Sequence, residues 1–329
     1  MLQYIVRRLF FFIPTLVVVS IVVFIVIELP PGDYLTTYIT NLSLQGQQLQ
    51  LDQIESLKRQ YGLDQPMYMR YLKWFWKMLH GDFGMSLEYN KAVSVLLWER
   101  LALTFVLSLS TILFVWMLAI PIGIYSATHQ YTISDYLLTF LSFIGVATPE
   151  FMLALILLWV AFSRLGLSVG GLFSPEFLDA RWSLARVLDL LKHIWIPMLI
   201  LGAGGTASLV RTVRANMLDE LRKPYVTTAR AKGLTERGLL WKYPVRVALN
   251  PFISTVGWAL PGLISGGTIV SVVLSLPTTG PLLLRSLLNQ DMFLAGSFLM
   301  MLSSLTILGT LISDILLAWL DPRIRYGEG

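Results

Sequence analysis

Long apolar runs alternate with shorter polar stretches along most of this chain. A helix needs about 20 mostly apolar residues to cross the hydrocarbon core of a bilayer. Six runs meet or nearly meet that length, and we predict six membrane-spanning helices, over Leu9–Ile27, Leu101–Tyr125, Tyr136–Phe162, Ile194–Val210, Phe252–Leu276 and Met292–Leu320. The fourth run is the shortest, so the pattern defines its ends least well.

The first apolar run follows Arg7 and Arg8, as the apolar part of a signal peptide would. It is too long for that role, and Glu28-Leu29-Pro30-Pro31 follows it where a small-residue cleavage pattern would stand. We therefore predict that it is retained as a transmembrane helix.

Composition agrees with an integral membrane protein. Of 329 residues, 55% are hydrophobic and 14% charged, and the mean hydropathy is +0.67. Because the chain has no cysteine, disulfide frameworks and thiolate metal sites are excluded.

Lysine and arginine set the predicted orientation, since loops that face the cytoplasm carry an excess of both. With the N-terminus inside, the inner segments hold 13 basic residues and the short outer segments hold 5. We expect both termini in the cytoplasm and a multi-pass protein of a bacterial or archaeal plasma (inner) membrane.

The stretch 30–100 differs from the rest, being polar, nearly neutral and rich in aromatic residues. Asp52–Tyr61 is typical of a short helix, and a break follows it at Gly62. We expect Tyr71, Trp74, Phe75 and Trp76 at the outer membrane interface, which favours amphipathic rings. This stretch either contacts a partner or gates the outer entrance, or it is a packing cap over the helices.

One short segment between the fourth and fifth runs, Pro224–Gly233, is basic and amphipathic; we call it the basic segment. Proline is tolerated at the first helical position and glycine favours the C-cap. Arg230 and Lys232 stand near the predicted C-terminal end, where the helix dipole favours cations. The basic segment is either a docking element for another protein or an amphipathic helix on the lipid surface.

Motifs for chemistry are missing from the sequence. It has no phosphate-binding loop of the G-x-x-x-x-G-K-[ST] type, no G-x-S-x-G and no H-E-x-x-H. The three histidines are too far apart in sequence to suggest a metal site. Glu150 and Asp314 are the acids within the predicted spans; each is either an ion or proton site or a structurally paired group.

Glycine and proline are concentrated in the fourth and fifth runs, where they permit close helix packing or bending. We therefore nominate these two spans as the moving pair that lines a pathway, with the candidate residues Gly204, Gly205, Gly257, Pro261, Gly262 and Gly266.

Several segments, in order, carry a resemblance to a known family. MLQYIVRRLFFFIP opens the chain, YGLDQPMYMR and GDFG lie in the stretch 30–100, TTARAKGL lies in the basic segment, and DPRIR closes the chain. Together they resemble the inner-membrane permease subunit ("B"-type) of a binding-protein-dependent ABC importer of the dipeptide/oligopeptide/nickel class.

The resemblance implies an all-α integral membrane protein with six transmembrane helices in the type I ABC importer permease fold. Its parts would be an N-terminal helix at 1–29, a small extracytoplasmic segment at 30–100, a five-helix core at 101–320 with a cytoplasmic coupling loop at 215–250, and a tail at 321–329. It implies no enzymatic activity in this chain.

It also implies partners: a second homologous permease in a heterodimer, two ATPase subunits or domains, and an extracytoplasmic solute-binding protein. This chain would bind no cofactor itself, because ATP and Mg²⁺ belong to the ATPases. In the family the basic segment forms a coupling helix that docks into an ATPase groove. The residues carried over are Tyr225, Thr228, Ala229, Arg230, Lys232 and Gly233.

Two departures from the family pattern bear on this. Thr227 and Thr228 stand where the general motif has Glu-Ala, so the salt bridge from that Glu is absent. After the fifth run an acid and a Pro-Gly are common, whereas this chain has Ser271 and then Pro277-Thr278-Thr279-Gly280. A di- or oligopeptide is the expected solute, with an oligosaccharide as the alternative. An ATP-independent secondary transporter, a channel and a membrane enzyme are the other classes.

Overall fold

The structure is a computed structural model. It describes residues 2–29, 64–86, 88–165, 170–178, 180–249 and 267–320, together with residues 35, 36, 39, 52, 54–56 and 59. Within these ranges the regular structure is helical, apart from one antiparallel bridge between Met85 and Ala92. The α-helices whose bounds the structure describes are α1 (Leu2–Glu28), α2 (Met67–Leu79), α3 (Val93–Thr128), α4 (Ile133–Ala147), α5 (Glu150–Leu165), α6 (Leu184–Leu221), α7 (Pro224–Ala231), α8 (Glu236–Lys242), α9 (Pro244–Ala248), α10 (Thr268–Val273), α11 (Thr279–Leu288) and α12 (Met292–Leu320).

Three helical segments in the described ranges are long and apolar enough to cross a membrane. They coincide with the first, second and sixth predicted runs, over Phe10–Glu28, Val93–Thr128 and Met292–Leu311. The bent pair α4 and α5 makes a fourth if it counts as one span.

The third predicted run, Tyr136–Phe162, is not one continuous helix, and that prediction was wrong in this respect. α4 ends at Ala147, α5 begins at Glu150, and the two helices are bent by 99°. Proline disfavours the helical conformation in the residue before it. Thr148, which precedes Pro149, is accordingly extended, with φ −85° and ψ 118°.

The fourth predicted run, Ile194–Val210, lies inside the much longer helix α6. With 38 residues, α6 is about 57 Å long at 1.5 Å per residue, which exceeds the hydrocarbon core of about 30 Å. Most of the fifth run lies outside the described residues, as do Gly257, Pro261, Gly262, Gly266, the tail 321–329 and half of Asp52–Tyr61.

The chain divides into two compact units. The first contains residues 1–102 and 278–329, where α1 packs against α12. Trp74 of α2 is buried there with Val23, Phe24 and Met300, and Tyr71 and Phe75 pack against the same cluster. For these three aromatic residues the packing-cap interpretation fits, whereas Trp76 is 65% exposed.

The second unit contains residues 103–277, and the packing of α4 on α6 is its most extensive helix contact. Two buried clusters lie along α6. One is formed around Ile200 with Leu103 and Leu274. The other lies near the C-terminal end of α6, where Val213 and Met217 pack with Val245 and Ala248 of α9.

Candidate functional site

The basic segment begins as the helix α7, with Pro224 at its first turn and Lys223 as an extended N-cap residue. Gly233 has φ +79°, in the left-handed region that glycine adopts without strain. The predicted helix and its glycine end are therefore confirmed.

The C-terminal end of α7 is closed by two backbone hydrogen bonds of the Schellman type. The Leu234 N–H donates to the Ala229 carbonyl at 3.3 Å, and the Gly233 N–H donates to the Arg230 carbonyl at 2.9 Å. The Leu234 side chain packs against the cluster of Val226, Ala229 and Leu239, as the motif favours.

Helix α8 begins directly after this turn. The Thr235 hydroxyl accepts a hydrogen bond from the Gly238 N–H at 3.4 Å and caps α8. Arg230 donates from Nε and Nη2 to the two Glu236 carboxylate oxygens at 2.7 and 3.1 Å. These bonds hold the pKa of Glu236 below its ordinary value. A side-chain pair and two caps thus fix α7 and α8 as one helical hairpin.

The two faces of α7 differ in exposure. Val226 and Ala229 are buried against Leu239 of α8, so these side chains support the hairpin from inside. Of the predicted docking residues, Thr228, Arg230, Lys232 and Gly233 are exposed, Tyr225 is half-buried and Ala229 is buried.

A buried acid attaches α7 to the end of α6. Glu220 is 7% exposed, accepts a hydrogen bond from the Tyr225 hydroxyl at 2.6 Å and pairs with Lys223. Burial alone raises the pKa of Glu220, but the bonds from Lys223 and Tyr225 outweigh it, so the pKa lies below its ordinary value. Burial and the bond to Glu220 raise the pKa of Tyr225 to about 12. Charged hydrogen bonds therefore join α7 to the end of α6.

Glu220 and Glu236 were not among the residues predicted from the sequence. The only signals were their spacings, with Glu220 three residues before Lys223 and Glu236 six residues after Arg230. The first is the spacing of an ordinary helical pair, whereas the bond from Tyr225 to Glu220 crosses the end of α6 and the bond from Arg230 to Glu236 crosses the Gly233 turn, so helical periodicity predicts neither of these two bonds.

The predicted pathway residues that fall in the described ranges are Gly204 and Gly205, both on α6. A Cβ built at Gly204 would lie 3.6 Å from Oε1 of Glu150, and one at Gly205 would lie 3.7 Å from the Val115 side chain. Both distances are ordinary van der Waals contacts. Closer packing occurs at Gly123, where a Cβ would lie 2.6 Å from that of Val213.

Glu150 opens α5 at the bend and is half-buried. No ion pair to it forms within the described ranges. The Asp314 side chain lies outside them. Among the described residues, no three His, Asp or Glu side chains are grouped as a metal site would require.

Comparison with known proteins gives two matching family models. Residues 119–326 match the family model described as binding-protein-dependent transport system inner membrane component. Residues 1–110 match the model for the N-terminal part of such membrane components.

Three relatives match over 99% of this chain. The oligopeptide transport system permease protein AppB of Bacillus subtilis is 37% identical over 328 residues, its whole length. The dipeptide transport system permease protein DppB of Alkalihalophilus pseudofirmus is 30% identical over 346 residues, also its whole length. The glutathione transport system permease protein GsiC of Escherichia coli K12 is 29% identical over 326 residues, again its whole length.

Proposed function

Because this chain belongs to the family of binding-protein-dependent transport system inner membrane components, we propose that it lines half of a pathway that imports di- or oligopeptides. Membership makes it a multi-pass membrane protein and a permease subunit of an ABC importer, and not an enzyme. The proposal concerns its solute, its partners and the way ATP drives it.

The α7–α8 hairpin carries the proposal for energy coupling. Its helix α7 is capped at its C-terminal end, exposes Thr228, Arg230 and Lys232, and is attached to α6 through Glu220. We assign it as the element that docks into a groove of a cytoplasmic ATPase subunit. ATP and Mg²⁺ are then bound by that subunit, and this chain needs no cofactor.

The proposed assembly contains a second homologous permease in a heterodimer, two ATPase subunits or domains, and an extracytoplasmic solute-binding protein. The excess of basic residues in alternate loops supports six spans with both termini in the cytoplasm. The stretch 30–100 then lies on the outer side. Closure of the ATPases moves α7, and α6 with the fifth span rocks to switch access between the two sides, as a rigid-body change.

Peptide is the proposed solute because relatives over the full length carry the names oligopeptide, dipeptide and glutathione permease. Pro277-Thr278-Thr279-Gly280 supports the oligosaccharide alternative. Proteoliposomes that contain the complete transporter distinguish the two solutes. In the presence of ATP they should take up a labelled tripeptide if the solute is a peptide, and a labelled trisaccharide if it is an oligosaccharide. Neither should enter without ATP. Peptide uptake without any ATPase subunit would instead favour a secondary transporter.

Charge reversal at Arg230 tests the docking assignment. Arg230→Glu should insert normally, yet lose both uptake and the stimulation of ATP hydrolysis by the loaded binding protein. Arg181→Glu, an equal charge change at an exposed position on the opposite predicted side, is the matched control and should keep both. If Arg230→Glu keeps both activities, the docking assignment is wrong.

Arg230→Glu also breaks the pair with Glu236. The exchange Arg230→Glu with Glu236→Arg restores an ion pair inside the hairpin while leaving an acid at position 230. We expect it to stay uncoupled. Full recovery would mean that Arg230 acts only within the hairpin.

A further inference from the structure

Helix α2 lies at the level where two membrane spans end. Arg70 donates from Nη1 and Nη2 to the carboxylate of Glu28 at 2.9 and 2.8 Å. Glu28 is the last residue of the apolar span in α1. Nη2 of Arg70 also lies 3.2 Å from the sulfur of Met292, the first residue of the span in α12. The ends of both candidate spans therefore contact one side chain of α2, Arg70.

Two apolar faces of α2 have different surroundings. Its inner face packs on α1, and the Tyr71 hydroxyl lies within 2.8 Å of the Ser20 hydroxyl. A second stripe has the spacing of one helix face but is open, with side chains exposed by 59% to 65%: Tyr68, Leu72, Trp76 and Leu79. At the level of the span ends, hydrocarbon is the surrounding that such a stripe favours.

The third face of α2 is basic and opens into a cavity. Arg70, Lys73 and Lys77 stand at helical spacing, and together with Arg59, Trp74 and Trp76 they line a cavity of about 500 Å³. Glu28 pairs with Arg70, Glu55 lies 3.7 Å from Arg59, and Asp82 lies 3.9 Å from the exposed Lys77. Among the described residues, no carboxylate forms an ion pair with Lys73. The cavity therefore carries surplus positive charge beside an open apolar stripe.

We propose that α2 is an interfacial helix that binds one anionic phospholipid. Its phosphate lies against Lys73 and Lys77, and its acyl chains run along Leu72 and Trp76. A phospholipid supplies a negative group and hydrocarbon at the same depth, and both are needed to complement these adjoining faces. Free phosphate would complement only the basic face. The site is independent of the docking assignment and of which side of the membrane α2 occupies.

Stabilisation of the purified full-length chain by added lipid tests the site. In a neutral detergent, phosphatidylglycerol should raise the unfolding temperature at lower concentrations than phosphatidylcholine does, and salt should weaken the difference. The double variant Lys73→Gln, Lys77→Gln should need about 25-fold more phosphatidylglycerol, roughly fivefold per charge lost near an anionic surface.

Two further variants separate charge at the site from charge in general. Lys91→Gln with Lys192→Gln removes two exposed lysines elsewhere and should respond as the wild type does. Lys73→Arg with Lys77→Arg keeps the charge and should retain the preference. Circular dichroism of each variant establishes that it is folded before the lipid response is compared.

Four results would overturn the proposal, and three of them come from the lipid titrations. The first is an equal response to the two lipids, and the second is an unchanged response of the glutamine variant. The third is full stabilisation by sn-glycerol 3-phosphate at the same concentrations, which would make this a site for free anions.

In the assembled transporter, phosphatidylglycerol with brominated chains should quench wild-type tryptophan fluorescence more than that of Trp76→Phe. Equal quenching would mean that protein covers the stripe, and it also contradicts the proposal.

Discussion

Arg214 and Asp135 face each other across α6 and α4, joined by two hydrogen bonds of 2.8 Å from Nε and Nη2 of the guanidinium. The carboxylate also accepts from the Ser126 hydroxyl and from the Tyr131 N–H, and Asp135 is 1% exposed. The Asp135 side chain thereby joins the end of α3, the start of α4 and the C-terminal part of α6.

Asp135→Asn should strongly destabilise the protein, because it leaves the Arg214 charge partly buried without its counter-ion. We expect a loss of about 2 to 4 kcal/mol in the free energy of unfolding, measured by denaturation in mild detergent. Glu55→Gln, which breaks an exposed ion pair with Arg59, is the control and should cost less than about 0.5 kcal/mol. Equal losses in the two variants would contradict this role for Asp135.

Glycine at position 123 is required by the packing of α3 on α6. A Cβ there would lie 2.6 Å from that of Val213 and 3.0 Å from the carbonyl oxygen of Val210, and the backbone atom has little freedom to move. Gly123→Ala should lower stability by about 1 to 3 kcal/mol. Gly205→Ala, with 3.7 Å to its nearest neighbour, should leave the unfolding temperature within a degree or two of wild type. A tolerated Gly123→Ala would mean that α3 and α6 lie further apart.

Position 233 requires a left-handed backbone but offers open space to a side chain. Gly233→Ala should therefore cost about 1 kcal/mol through backbone strain alone, and Gly233→Asn less. Gly233→Pro should cost more, since proline cannot adopt φ +79° and removes the N–H that bonds to Arg230. The ratio of solute imported to ATP hydrolysed should fall in the order Asn, Ala, Pro. An unchanged ratio in the proline variant would separate the turn from energy coupling.

The Glu220–Tyr225 bond should give the stability of the basic segment two pH limits. The pKa of Glu220 is depressed, so its contribution is present above the ordinary value of 4.5 and is lost as the pH falls through the lower folded-state pKa. The pKa of Tyr225 is raised from 10.0 to about 12, so its contribution is complete below pH 10 and is lost as the pH rises toward 12.

Each limit has its own measurement. Glu220→Gln should lose the part of the stability that the wild type loses as the pH falls below 4.5. The absorbance difference at 295 nm between wild type and Tyr225→Phe should report one phenol that titrates near 12 among the 13 tyrosines. Titration of that phenol near 10 would contradict the buried bond to Glu220.

The length of an apolar run predicted a long helix well where that helix is surrounded only by hydrocarbon and by other helices. It failed at Thr148-Pro149, because averaging hydropathy over a window ignores a single residue that excludes the helical conformation. The apolar run also predicted too short a helix for α6. The polar C-terminal part of α6 is helical because tertiary contacts such as Arg214–Asp135 hold it.

The basic segment could be predicted almost to the residue, since Pro224 and Gly233 act through local backbone preferences. Its attachment could not be predicted, because the bonds from Tyr225 to Glu220 and from Arg230 to Glu236 cross chain turns whose geometry is not periodic. The open apolar stripe of α2 has a helical pattern, yet only the bond between Arg70 and Glu28 shows that this helix lies beside the end of α1.

The contacts that close the α7–α8 hairpin join residues close together in sequence, from Glu220 to Leu239. Loop-closure entropy is small over such separations, and structures with local contacts form fast. During synthesis this hairpin can therefore assemble soon after it leaves the ribosome, before the sixth apolar run has been translated. The hairpin is then formed before the membrane-embedded part of the chain is complete.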